Sequence, residues 1–352
     1  MTELLVGTRK GLFVLEGEPG AEFELRTRAF VGEPVDYAVR DPRTGRLFAA
    51  VTSPFWGPRI WFTGDLDDDW QPARGVRLPK GGTEALKRIW VIAAGEDGGR
   101  LYAGGDPGVL FQSRDDGATW ELNQALWEHP TRPRWRRDSG GLSVHSIAPW
   151  PGDPNRLALA ISAAGVWLTE DGGATWSHGN EGIVADYLPE EARASAIDLC
   201  VHHLERAPLL PERLFMQFHG GVYRSDDAGR SWTDIAAGLP HDFGFPVVVD
   251  PADPDSAFVI PVTTSDRVTD GRVAVWETRD AGATWTARDD GLPQEKAFLS
   301  VLRQAFTASG AGSELELYFG ATSGEIFGSG DAGASWSSLA RRLPAIASVR
   351  AT

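Results

Sequence analysis

One cysteine, Cys200, stands in 352 residues, so no intramolecular disulfide can form and a reducing compartment is allowed. Positive charge is scarce: 34 Lys and Arg face 49 Asp and Glu, a formal net charge of −15. Phosphate backbones are bound through a basic stripe, so a nucleic-acid partner is not expected. Apolar runs are short, and none approaches the roughly 18 residues of a membrane span. The first residues, MTELLVGTRKGLFVL, contain no basic leader, no long apolar stretch and no small-residue cleavage site. They read as two short strands around a glycine turn. A cytoplasmic protein with no membrane attachment is the expectation.

What is abundant points to many short strands. The chain has 42% hydrophobic residues, 14 Trp, 41 Gly and 23 Pro. That is enough for a sizeable core cut by frequent tight turns. One motif recurs, Ser/Thr-x-Asp-x-Gly-x-Ser/Thr-Trp. It begins at Ser113, Thr169, Ser225, Thr278 and Ser329, and a decayed copy begins at Thr63. Successive starts are 50, 56, 56, 53 and 51 residues apart, the signature of a repeat architecture. In each copy the Asp (Asp115, Asp171, Asp227, Asp280, Asp331) suits backbone N–H groups of its own turn. The Gly supplies a positive φ, and the Trp opens the next strand with a large surface to bury. Identical repetition marks these acidic turns as hairpin staples, not metal or catalytic sites.

Around each motif the pattern is strand A, turn, strand B, small-residue turn, strand C, acidic turn, strand D. The alternation fits antiparallel four-stranded blades. The chain starts at strand B (LLVGT, GLFVL, FELRT) and ends on AIASVRA, a lone strand A. The expected fold is therefore all-β: a single seven-bladed β-propeller over residues 1–352. Its first blade is closed by N-terminal strands B–D and a C-terminal strand A, leaving no ring-facing edge.

The acidic-turn motif resembles the BNR/Asp-box repeat of the sialidase-like propeller superfamily, and the resemblance covers essentially the whole chain. That group includes sialidases, xyloglucan-active glycosidases, sortilin-type receptors and a photosystem assembly factor. The chain is also similar to bacterial proteins labelled glycosyl hydrolase or BNR repeat-like. The resemblance implies the fold; function lives in sites and not in folds. A sialidase would carry Phe/Tyr-Arg-Ile-Pro near the N-terminus, which Arg88-Ile89-Trp90 matches poorly. It would also need a Tyr nucleophile. Of five Tyr, Tyr102, Tyr223 and Tyr318 fall inside strands, leaving Tyr37 and Tyr187. A true sialidase is not expected.

Strand order defines two ends. The acidic turns and A–B turns share one; the B–C and D–A loops share the other, called the top. The longest D–A loops are 121–143 and 177–195. The first holds HPTRPRWRRD, a basic patch of Arg132, Arg134, Arg136 and Arg137 around Trp135. It suits either a carboxylate or phosphate ligand, or pairing with Glu181, Asp186, Glu190 and Glu191 of the second loop. Aligned strand A segments place His145 against His202, 57 residues on, at the upper mouth of the channel, with His219 ending the adjacent strand B. Trp90 is the equivalent one blade earlier, preceded by Lys87 and Arg88. Arg9, Lys10, Trp56 and Asp106 occupy B–C turns. His203 is expected to face away from His202 by strand alternation and to pack between blades. His129, His178 and His241 are expected in solvated loops.

Two readings follow. In the first the chain is an enzyme, a hydrolase or lyase acting on a carbohydrate or small anionic substrate. His145, His202, His219 and Arg88 are then catalytic. Arg9, Lys10, Trp56, Lys87, Trp90, Asp106, Arg134, Trp135 and Tyr187 hold the small-molecule or glycan ligand. The three histidines also suit a divalent metal such as zinc. In the second the propeller is a noncatalytic scaffold, and its top face binds a protein partner.

Overall fold

The structure, a computed structural model, describes residues 1–137, 141–190, 193, 197–264 and 267–352. Glu191 and parts of the loops 121–143 and 177–195 lie outside the described residues.

Strands form where apolar runs are cut by turn residues. Leu101–Asp106 and Val109–Ser113, for example, pair across the two residues Pro107 and Gly108. Both strands are almost wholly buried because sheets pack against them on both faces. Five sheets are built along the chain in the same way. They start with the strands Val35–Arg40, Arg88–Ala94, Val144–Trp150, Val201–Arg206 and Gly244–Asp250, and each adds three more strands along its main path. The pairing within them is antiparallel.

The remaining sheet has eight strands, and its order falls into two runs of four. One run is Val301–Ser309, Glu316–Ala321, Ile326–Ser329 and Ser337–Ala340. The other begins with the C-terminal strand Ile346–Ala351 and continues into Thr2–Thr8, Gly11–Gly17 and Glu24–Ala29. A single parallel pair, Gln304 with Ser348, joins the two runs. The expected partnership of the chain's two ends is thus present: Ile346–Ala351 pairs antiparallel with Thr2–Thr8. The first strands of all these units touch one another in a closed circuit. Close approach at that circuit needs glycine. A Cβ on Gly7 would lie 2.8 Å from the Val35 carbonyl oxygen, and one on Gly104 would lie 2.5 Å from that of Val144.

Apolar clusters fill the gaps between neighbouring sheets. Phe48 and Ile60 meet Ile89, Phe111 and Trp120 in one gap; Met216, Phe218 and Trp232 meet Ala158 and Val166 in another. Each fully buried large side chain contributes about 1.5–3 kcal/mol.

The acidic turns act as staples. Asp227 Oδ1 accepts from the Ser225 hydroxyl at 2.8 Å and from the Ser231 N–H at 2.8 Å, and Oδ2 accepts from the Ser231 hydroxyl at 2.6 Å. The Gly229 N–H donates to Ser225 Oγ at 2.9 Å. The same carboxylate bonds recur at Asp115, Asp171, Asp280 and Asp331. The Thr175 hydroxyl and N–H, with Thr169, hold the Asp171 carboxyl down to about 2. The decayed copy differs: Asp65 accepts from the Asp67 N–H at 3.2 Å, and Thr63 bonds the Asp65 carbonyl. Replacing Asp227 with Ala is expected to cost about 1–3 kcal/mol in denaturant unfolding, from turn donors left unpaired. It should leave ligand affinity at the opposite end unchanged. Lost binding at unchanged stability would mean that the turn is a functional site.

Candidate functional site

Each innermost strand carries a register shift in its first residues. A bulge adds a residue to one strand and re-aims its side chain. The extra positions are Asp36, Trp90, His145 and His202 on four successive sheets. On the next sheet they are Phe245 with Pro246, and on the one after they fall within 302–305, which includes Arg303 and Gln304. The axis is therefore lined at one level by side chains from bulges.

Arg303, buried at 7% exposure, is central to this group. Its guanidinium lies 5.1 Å from the Phe245 ring and 5.8 Å from the Trp90 ring. Burial first, and the Arg303 charge next, push His145 and His202 well below the usual imidazole value, so both rings are neutral. Burial, then Arg350, pushes His203 down to about 3. His145 holds Nε2 at 2.7 Å from the Val201 carbonyl oxygen and Nδ1 at 3.2 Å from Ser146 Oγ. His202 directs Nδ1 to the Gly244 carbonyl oxygen at 2.5 Å and Nε2 to His219 Nδ1 at 3.4 Å. His219 is half-buried against the Tyr187 ring, 4.4 Å between centroids. The Tyr187 hydroxyl accepts from the Cys200 N–H at 3.0 Å.

Two acids complete the lining, Asp36 buried and Glu205 half-buried. Asp36 accepts from the Thr52 hydroxyl at 2.6 Å and pairs with Arg88 at 3.1 Å. Burial still raises its carboxyl, outweighing Arg88, Thr52 and Arg9. Lower on the axis, burial lifts Glu205 to about 7 against the opposing pull of Arg350 and the Val249 backbone. The axis is bridged rather than open: Gln304 donates to the His145 carbonyl oxygen, 159 residues away in sequence, at 2.6 Å. Arg350 clamps Gln304 in turn, donating to its backbone oxygen at 2.9 Å and to its side-chain oxygen.

Several expectations need correction. His145, His202 and His219 do not converge as a set. The bulge turns His145 onto the next strand's carbonyl, and the ligand atoms lying within 4.8 Å of one another are those of Cys200, His202 and His219. His203 escapes strict alternation because the bulge between Val201 and His203 suspends it; its Nδ1 sits 3.0 Å from the Val247 carbonyl oxygen. Trp135 is core: it packs on Trp167 at 5.0 Å and donates to Thr131 Oγ1 at 3.1 Å. Asp106 is buried and held by both terminal nitrogens of Arg137, at 2.9 and 2.6 Å. Arg132 stacks 3.9 Å over Trp127 and bonds the Pro107 and Gly108 carbonyls and Glu84. These two arginines of the basic loop thus turn back on their own sheet. Trp56 is half-buried against Trp61 and Arg59.

Arg9, Lys10, Lys87 and Arg134 are exposed, and Arg88 and Trp90 are half-buried with the guanidinium 4.6 Å over the indole. His129 and His178 are not solvated loop residues; both pack on Trp167, at 4.6 and 4.1 Å.

Asp36, Cys200, Glu205, Arg303 and Gln304 were not read as site residues in the sequence. Asp36 had a signal: Val35-Asp36-Tyr37 falls in the same register as Ile89-Trp90-Val91 and Val144-His145-Ser146. Arg303 and Gln304 had none, since their strand's shift spans several residues.

The closed circuit of antiparallel sheets defines the class: the chain has a β-propeller fold. No protein-family model matches the sequence, and no curated protein matches it. Among solved structures, it is similar to an ancestral GH74 enzyme at TM-score 0.58 and 17% identity, over 92% of this chain but 37% of that one. It is similar to YCF48 bound to D1 peptide at TM-score 0.52 and 14% identity, over 94% and 85% of the two chains. Apo AztD from Citrobacter koseri aligns at TM-score 0.55 and 12% identity, over 100% and 98%. At these identities the likeness is one of fold. The chain spans little more than a third of the GH74 enzyme's length.

Proposed function

We propose that residues 1–352 form one seven-bladed propeller of the Asp-box, sialidase-like type. The count takes the two runs of the eight-stranded sheet as separate blades. We infer that its axial mouth binds a small anionic or carbohydrate ligand and performs hydrolase or lyase chemistry on it, without being a sialidase. One observation carries this reading. The bulged strand starts deliver a raised carboxyl at Asp36, neutral imidazoles at His145 and His202, and the cations Arg88 and Arg303 to one level of the axis. A carboxyl raised by burial and neutral imidazoles are the groups of a general acid–base set, and a buried guanidinium attracts an anion. His219 and Tyr187 extend the set toward solvent, where a ligand enters.

The test is a panel of chromogenic aryl glycosides and small organic acids, assayed for turnover and for a ligand-induced rise in melting temperature. Asp36→Asn should lower turnover of a hit by about 10²–10⁴-fold, the usual share of general acid–base catalysis, while the protein stays folded. A panel with neither turnover nor a melting shift would defeat the reading.

A second reading, a binding scaffold, is favoured by the apolar side chains on the same end. Val31, Phe55 and Phe298 are 70%, 88% and 72% exposed, and by strand order all lie in top loops. Exposed apolar groups of this kind mark interaction surfaces when they cluster. On this reading, combined Phe55→Ser and Phe298→Ser changes weaken binding to an apolar peptide library and leave turnover untouched.

A further inference from the structure

We propose that Cys200, His202 and His219 form a three-ligand zinc site at the rim of the axis, with the thiolate as its third donor in place of His145. Three elements bring them together. Cys200 immediately precedes the innermost strand Val201–Arg206, His202 is the extra residue of that strand's bulge, and His219 follows the neighbouring strand Leu214–Phe218. The His219 N–H donates to the Cys200 carbonyl at 3.0 Å, closing the hairpin end and fixing the two backbones side by side. One ligand atom from each residue lies within 4.8 Å of the others.

The geometry suits zinc. Two imidazoles bound at about 2.0–2.1 Å in a tetrahedron hold their nitrogens about 3.4 Å apart. His202 Nε2 and His219 Nδ1 are 3.4 Å apart. The remaining nitrogen of His202 faces the Gly244 carbonyl at 2.5 Å, which places the proton on Nδ1 and leaves the Nε2 lone pair directed at the site. An outer bond from the distal ring nitrogen to a carbonyl is the usual partner of a metal-bound histidine. Thiolate and imidazole together select borderline-soft ions such as zinc over magnesium or calcium. Phe243 and Phe245, with ring centroids 5.3 and 5.0 Å from His202, cover the inner side of the group, and Tyr187, 4.4 Å from His219, flanks the side open to solvent. Three protein ligands leave a fourth position, as in catalytic zinc sites. This deepens the axial-site reading and rests on it only for the identity of that fourth, anionic ligand, which Arg303 would attract.

The experiment uses full-length protein stripped with chelator, titrated with zinc against a chromophoric chelator and separately with cobalt(II). The expected result is one equivalent per chain, a thiolate-to-cobalt charge-transfer band, and the visible spectrum of four-coordinate cobalt. Outer-shell partners alone are worth about 10–100-fold in metal affinity, so Cys200→Ser and His219→Gln should each weaken zinc binding by about 100-fold or more. Cys200→Ser should also erase the charge-transfer band, while His178→Gln, on the outer stack with Trp167, should bind as wild type. Absence of stoichiometric zinc, absence of the thiolate band in wild type, or undiminished binding in His219→Gln would each overturn the site. The wild-type spectrum and His219→Gln, at a half-buried position, decide the matter even if Cys200→Ser misfolds. None of these measurements uses substrate, so failure of the metal site and failure of the proposed turnover are read separately.

Discussion

A chain ending at residue 344 is expected to lose the folded state. The deletion removes Ile346–Ala351, the strand that pairs with Thr2–Thr8 and carries the parallel contact to Gln304. Ile346 and Val349 are 1% and 0% exposed, and burying two such side chains contributes about 3–6 kcal/mol. The loss also exposes the edge of Thr2–Thr8, a wholly buried strand and a template for intermolecular pairing. Domain stability is about 5–15 kcal/mol, so the loss is a large share of it. Soluble yield, thermal melting and size-exclusion elution report the outcome. A truncated protein that melts like the full chain would show that closure does not stabilise this propeller.

Replacing the half-buried Arg350 with Ala is expected to cost about 1.5–3 kcal/mol, the range for hydrogen bonds made by a charged group. Its guanidinium donates to the backbone oxygens of Gln304 and Val349 at 2.9 and 2.7 Å, to the Gln304 side chain, and to the Tyr37 hydroxyl at 2.9 Å. Gln304 in turn spans the axis to His145. Arg350 thus ties three innermost strands to one side chain, and Ala leaves their acceptors without it. The penalty should also depend on pH. Glu205 rises from its ordinary 4.5 to about 7 on folding, even with Arg350 lowering it. A raised acid favours its protonated form in the native state, so its contribution declines as pH climbs from 4.5 through 7. Without Arg350 the carboxylate form is still less favourable, and the decline steepens. Denaturant unfolding at pH 5 and pH 8 should give a larger loss at pH 8, and Glu205→Gln should remove the difference. Equal losses at both pH values would exclude the electrostatic coupling, and a loss below about 1 kcal/mol would exclude the clamp.

Features set by a few neighbouring residues were legible in advance. The acidic turn is one: Asp227 satisfies groups no more than four residues away, so the motif carries its own geometry. The closing of one sheet by both chain ends was legible too, because a repeat of four strands leaves three at the start and one at the finish. Repeat alignment likewise placed His145 and His202 at one level of the axis. It failed where strand periodicity fails. Each bulge adds a residue, and the rule that neighbouring side chains face opposite ways lapses there. That is why His202 and His203 both reach the same neighbouring strand, and why Asp36 was overlooked.

The basic loop shows the same boundary. Four arginines around Trp135 read either as a ligand clamp or as partners of acids in the second long loop, because composition cannot say which acid lies within reach. In the fold Arg137 finds Asp106, 31 residues back, and Arg132 finds Glu84, 48 residues back. Gln304 meets the His145 carbonyl across 159 residues, and Cys200 meets His219 across a hairpin end.

The amino-acid sequence by itself therefore determined the repeating unit, its turns, its strands and the manner of ring closure, all written in local hydrogen bonds and apolar patterning. Only the tertiary structure decided which side chains meet on the axis. Those contacts depend on bulges and on the circular packing of sheets, where burial and charge act between groups far apart in the chain.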